Sequence, residues 1–374
     1  MADLVNTVAI VVGFILVAWM VLDSFETLLA TSLRANRYSF TSWYYRAVWW
    51  VTRRACVRIT DDDRRERVLA RFGPASFLGL LGTWSFIEIM GWGMVWWGFR
   101  DHFSSAISTF QDAWYYSGVV YLSIGFGDIL PSTGGMRLLT VLEGFSGLAT
   151  LGLVIGFLPT LTSAYSARER QLLMLDDLTD ARITPVSLVR SYIGVDGDMT
   201  DLNDMFDEWA GWCAEVYDTH TSLPVLLWFR SKHRGHSWIT GLGVVTDAAI
   251  AFAGTVEGAE RGPALRLHRQ AVRLVTGLAT RIALDPAPGP AADLTIRGWT
   301  LAYSNMTDIG LDLLDFDESF ARVQAMRAEF HPYMEAFIDE LLAPRGFWGV
   351  TAADHLAEAD LTGIVDPADR PPPD

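Results

Sequence analysis

Three long apolar stretches decide what this chain can become. A helix needs about 20 mostly apolar residues to cross a bilayer. Such runs extend from about Leu4 to Ala30, from Ala75 to Phe99 and from Leu138 to Ala164. The first carries Asp23 and Glu26 near its end, and the second contains Glu88. A cleaved signal peptide opens with a basic region, but Met1-Ala2-Asp3-Leu4 has no base, so the first run reads as a retained helix. Hydrophobic residues make up 51% of the 374, with 15 Trp, yet the formal net charge is -15. The apolar surplus must therefore be concentrated in segments, leaving length for one further domain. Cys56 and Cys213 are the only cysteines, which provides neither a disulfide framework nor metal-ligand spacing. Lys232 is the only lysine; arginine supplies every other basic charge, a coding bias of the kind expected of a GC-rich bacterial genome.

Orientation follows from the arginines. Arg34, Arg37, Arg46, Arg53, Arg54, Arg58, Arg64, Arg65, Arg67 and Arg71 lie between the first and second runs. Short basic loops stay on the cytoplasmic side. This places the N-terminus outside, the loop inside, and everything beyond the third run in the cytoplasm of a cell whose plasma (inner) membrane holds the chain. Within the loop, Tyr44, Val48, Val51 and Ala55 share one helical face and Arg46, Arg53, Arg54 and Arg58 the other, with Trp43, Trp49 and Trp50 adding aromatic bulk. That is the profile of a helix lying in the membrane interface; the alternative is a cytoplasmic helix packed on the soluble domain.

Between the second and third runs stands Ala113-Trp114-Tyr115-Tyr116-Ser117-Gly118-Val119-Val120-Tyr121-Leu122-Ser123-Ile124-Gly125-Phe126-Gly127-Asp128. A Gly-x-Gly-Asp string alone is common in soluble turns. Flanked by two spanning runs, this stretch resembles, without a gap, the pore helix and selectivity filter of the potassium channel superfamily, and 75–164 resembles its two-helix pore module. In such a filter, backbone carbonyls replace the hydration shell of the ion. Gly125 and Gly127 adopt positive φ at little cost, and the Ser123 hydroxyl can complete the innermost site. The expected ion-binding residues are Ser123, Ile124, Gly125, Phe126, Gly127 and Asp128, with K+ held at Ser123, Ile124, Gly125 and Phe126. The charge-based topology puts them at the outer mouth. The resemblance implies a homotetramer around one pore, and it implies that Tyr115 and Tyr116 belong to an aromatic cuff bracing the filter. It also exposes departures. Val120, Leu122 and Ser123 stand where the family usually has threonine. Val119 stands where some members carry a carboxylate, so Asp128 lacks that partner, and Phe126 replaces a tyrosine. A potassium-selective channel is the reading; a weakly selective cation channel, or a non-conducting membrane-anchored signalling protein, are its alternatives. Nothing resembles a nucleophile–base pair, so no enzyme is expected, and neither is a cofactor beyond K+ nor a nucleic-acid partner.

The third run carries Gly144, Gly147, Gly152 and Gly156, which read either as small residues for close helix packing or as gating hinges. Pro159 predicts a kink near the cytoplasmic end. Glu88, an intramembrane carboxylate, is a functional candidate. From Arg168 the chain turns acidic, with helical periodicity at Asp201–Tyr217, Ala264–Leu284 and Glu318–Leu342. Trp238–Val256 reads as a buried bundle helix rather than a fourth span, because a span would carry Arg261, Arg266, Arg269, Arg273 and Arg281 outside. No Gly-rich nucleotide fingerprint occurs, and Ile193-Gly194-Val195-Asp196-Gly197-Asp198 lacks the required spacing. His220, His233 and His236, near Arg230 and Arg234, read as surface groups or as a pH or metal sensor. The expected architecture is an all-α membrane protein with three transmembrane helices, a re-entrant pore helix and filter, and an all-α cytoplasmic domain. Its divisions fall at 1–33 (first helix), 34–73 (basic loop), 74–166 (pore), 167–345 (cytoplasmic domain, ligand unspecified) and 346–374 (a tail whose Pro- and Asp-rich end reads as disordered).

Overall fold

The computed structural model describes residues 2–28, 39–104, 107–176, 184–193, 198–231, 237–258, 261–287 and 296–343. Arg34, Arg37, Lys232, His233, Arg234, His236, most of the 193–198 loop and the 346–374 tail lie outside the described residues. Every regular element among the described residues is helical, and the chain is an all-α membrane protein. Its contacts divide it into two compact units, 1–164 with 225–229, and 165–224 with 230–374.

The first unit opens with α1 (Ala2–Leu28), whose residues Leu4, Val5, Val8, Ile15 and Leu22 are exposed as a lipid-facing helix requires. Its other face packs along α3 (Asp62–Gly98). The two backbones approach closely where glycines meet: a Cβ on Gly13 would run into the Gly91 carbonyl, the small-residue packing that lipid favours. Between them in sequence comes α2 (Phe40–Cys56), started by the Ser39 side chain accepting from the Ser42 N–H. The residues of α2 buried within the protomer are Phe40, Tyr45, Trp49 and Cys56, while Val51, Trp43 and Trp50 are exposed. Aromatic partners decide this: Trp49 packs on Phe72 of α3 at 5.0 Å and on Trp228 at 4.6 Å. Asp23 joins the three helices, accepting from Trp84 Nε1 of α3 at 3.0 Å and from the Thr41 hydroxyl of α2 at 2.6 Å.

At 37 residues, α3 is about 55 Å long and exceeds a hydrocarbon core of about 30 Å. It starts ahead of the apolar run, with Asp61 accepting from the Arg64 N–H, and passes through Pro74. Next comes α4 (Phe110–Tyr121), opened by a capping box: the Thr109 hydroxyl accepts from the Asp112 N–H, and the Asp112 carboxylate accepts from the Thr109 N–H at 2.8 Å. Then α5 (Gly134–Asp176) runs through Pro159 as one continuous helix and contributes its last turns to the second unit.

The second unit adds α6 (Pro185–Tyr192), α7 (Thr200–Ser222), α8 (Trp238–Thr255), α9 (Gly262–Ile282), α10 (Ile296–Thr307) and α11 (Phe316–Leu341). Among the described residues, four helices are long and apolar enough to cross a membrane, α8 among them. Unlike the other three, α8 is buried along nearly its whole length, packed by α6, α9 and α11. Its one charge, Asp247, receives both oxygens' bonds from Arg327 Nη1 at 2.9 Å and contacts His331 Nε2 at 2.7 Å. It is the core helix of this bundle. The amphipathic α9 lays Leu267, Ala271, Leu274 and Leu278 inward.

Candidate functional site

The 123–128 segment leaves α4 through a tight turn in which the Val119 carbonyl accepts from the Ile124 N–H at 2.9 Å and the Val120 carbonyl from the Ser123 N–H at 3.0 Å. The backbone then alternates. Ser123, Gly125 and Gly127 have φ of 57°, 63° and 78°, while Ile124 and Phe126 between them do not share this conformation. Left-handed φ is cheap for the glycines and costs about 1 kcal/mol or more at Ser123, so the segment is held in a strained path by its surroundings. A Cβ on Gly125 or Gly127 would meet nothing within 4 Å in this chain, and Phe126 is 68% exposed. The far end is tied down by an isolated bridge between Phe103 and Pro131 and by the Ser104 N–H donating to the Leu130 carbonyl at 2.9 Å.

Tyr115 and Tyr116 part company. Tyr115 donates to Asp128 Oδ2 at 2.8 Å, giving the acid a partner in place of the carboxylate missing at Val119. Tyr116 turns to the back of α4, where its hydroxyl meets Thr140 of α5 at 2.8 Å and its ring lies 5.4 Å from Trp96 and 5.0 Å from Phe103. The glycines of α5 separate too. Gly147 presses on the Tyr121 carbonyl at the end of α4, and Gly144 lies near Val120, whereas Gly152 and Gly156 have open space beside them. Pro159 is exposed on α5.

Behind α4 two carboxylates are wholly buried, Glu88 of α3 and Glu143 of α5. Glu88 accepts from the Thr150 hydroxyl at 3.3 Å. Glu143 takes Trp96 Nε1 at 2.6 Å and meets the Ser117 hydroxyl at 2.5 Å; the same hydroxyl lies 2.9 Å from the Ile89 carbonyl. Glu143 was not singled out from sequence, although the rule that picks Glu88, a carboxylate inside a spanning run, applies to it equally.

Of the expected histidine cluster, only His220 is described. It is buried, and its Nε2 lies 3.2 Å from Arg168 Nη1. Since guanidinium can only donate, Nε2 accepts and the ring is neutral, its Nδ1 facing Thr219 Oγ1 at 3.3 Å. Burial first, then Arg168, holds its pKa well below the ordinary histidine value. No group of three His, Cys, Asp or Glu able to hold a metal occurs among the described residues.

Residues 82–163 match the family model described as "Ion channel", a stretch that takes in the second half of α3, all of α4, the 123–128 segment and α5 as far as Ser163. An uncharacterized membrane protein of Bacillus subtilis, YdjJ, is 22% identical over 207 residues, which cover 53% of this chain and 58% of that protein. The chain thus spans little more than half the length of that relative. No solved structure is significantly similar. The family match and the helices together support an ion channel set in an all-helical membrane protein.

Proposed function

We propose that this chain is one subunit of a homotetrameric potassium channel, in which four copies of 123–128 line a single conduction path and release K+ passively down its gradient. The observation that carries the reading is the alternating positive φ at Ser123, Gly125 and Gly127. Reversing every second residue lets successive carbonyls face one side, as a cage that substitutes for potassium's hydration shell requires. The surfaces of α5 support the assembly. One of its faces, Glu143, Gly147 and Thr150, is buried within the protomer. The opposite stripe, Leu138, Val141, Phe145 and Leu148, is exposed at alternating steps of three and four, with Ile155 two turns further on, the spacing with which helices pack on one another. A second copy of the chain is the occupant that this reading gives that stripe.

Because α5 is one helix from Gly134 to Asp176, a shift of its last turns in the second unit reaches the conduction path directly. This continuity supports a reading in which the cytoplasmic bundle gates the path. The absence of hydroxyls at Val120 and Leu122 favours a lower potassium-over-sodium ratio than a filter with threonines there.

Potassium flux into liposomes holding the purified protein tests the reading. The protein should pass potassium, and Gly125→Ala, which puts a side chain at φ 63°, should abolish the flux. Flux equal to that of empty liposomes would leave the membrane-anchored signalling role in its place.

A further inference from the structure

Three oxygens stand in a row behind α4: the Ile89 carbonyl, the Ser117 hydroxyl and Glu143 Oε1, with separations of 2.9 Å and 2.5 Å. Two oxygens this close need a proton between them, so the row needs two. Ser117 supplies one, and a backbone carbonyl supplies none. The second must come from Glu143. If Glu143 were ionised, the serine proton would turn toward it, and the Ile89 carbonyl would face a bare lone pair. We propose that Glu143 is held as the neutral acid and donates to Ser117, which donates on to Ile89. Glu143 is thereby the positioning residue that locks α4 to both flanking helices.

The surroundings agree. Glu143 Oε2 accepts from Trp96 Nε1 at 2.6 Å, so the acid joins α5 to α3 directly and to α4 through Ser117. Among the described residues no cation pairs with it, and burying an unpaired carboxylate costs far more than burying the acid. The titratable groups facing this region are Tyr116 of α4, bonded to Thr140, and, two turns along at Thr150, Glu88 of α3 with Tyr121 of α4. Arg137, on α5 itself, is exposed and donates to the Pro131 carbonyl. The close fit explains the need for a lock: Gly93 of α3 presses on the Trp114 backbone, and Gly147 of α5 on the Tyr121 carbonyl. α4 is thus seated by backbone contact on two sides and keyed between them by one proton.

The consequence for conduction rests on the channel reading; the protonation does not. Infrared difference spectra of the full-length protein in liposomes separate the two. The wild type minus Glu143→Gln should contain a carboxylic-acid carbonyl band at neutral pH. Ser117→Ala should shift that band, because the acid loses its acceptor, and this second variant assigns the band if the glutamine protein does not fold. No acid band, or a band that Ser117→Ala leaves in place, would overturn the proposal whatever the protein conducts. For conduction, Glu143→Ala should lose flux and Glu143→Gln should restore it, since the amide can accept from Trp96 and donate to Ser117. Wild-type flux should fall several-fold as alkaline pH ionises Glu143, and the glutamine variant should not follow. An identical alkaline fall in both would remove Glu143 from any role in conduction.

Discussion

Gly147 is the residue whose role the fold states most sharply. Its Cα lies so close to the Tyr121 carbonyl that any Cβ would collide with backbone, which cannot swing aside. Gly152, one and a half turns on, has nothing beside it within the protomer. Gly147→Ala should therefore lower stability by about 1–3 kcal/mol through overpacking and cut flux, while Gly152→Ala leaves the protomer's melting temperature in detergent unchanged. Equal melting temperatures for the two variants would contradict this. In the sequence Gly144, Gly147, Gly152 and Gly156 are equivalent, because spacing alone carries no information about which neighbour lies opposite. By contrast, the positive φ of Gly125 and Gly127 was legible beforehand, since their alternation with larger side chains is itself the signal. The Tyr115–Asp128 bond was not, because it joins residues whose approach depends on how the turn after α4 is folded.

At the scale of elements, hydropathy located α1, α3 and α5 well, and period located α7, α9 and α11. Which residues of α2 pack within the protomer was not legible in the sequence. An aromatic helix with Trp at three positions offers more than one apolar stripe, and the choice falls to partners distant in sequence, Phe72 and Trp228. Asp23 is the corresponding polar constraint. A charge near the end of α1 reads as a boundary marker, yet it is buried and bonded to α2 and α3. Replacing it with alanine leaves the Trp84 indole N–H without its acceptor, at about 1–3 kcal/mol for a stranded donor, and takes from Thr41 one of its two partners. Thermal unfolding in detergent should show Asp23→Ala clearly less stable than wild type, and Trp84→Phe, which removes only one donor, falling between them. An unchanged Asp23→Ala would mean that α1 is held by its apolar and glycine contacts with α3 alone.

For the whole molecule, the second unit sets a pH dependence on the acid side of neutrality. His220 is neutral in the fold and its pKa is depressed, whereas in the unfolded chain it titrates near its ordinary value of about 6.5. Below that pH the unfolded state binds a proton that the folded state refuses, so stability is full above about pH 6.5 and declines as pH falls toward the folded pKa. Unfolding of the full-length protein followed through the second unit should shift to lower temperature as the buffer is taken from neutral to mildly acidic. His220→Gln, which keeps an acceptor for Arg168, should flatten that shift; the same slope in both proteins would assign the proton to another group. The charge pattern of the sequence foretold an acidic helical bundle, but not that Arg168 of α5 would be buried against a histidine 52 residues away. The proposed potassium selectivity is the property most open to direct measurement. The most direct test is the reversal potential of the reconstituted protein with potassium on one side and sodium on the other. The account predicts a potential strongly displaced in the direction set by potassium, abolished with the current itself in Gly125→Ala. A measurable current reversing near zero would contradict it.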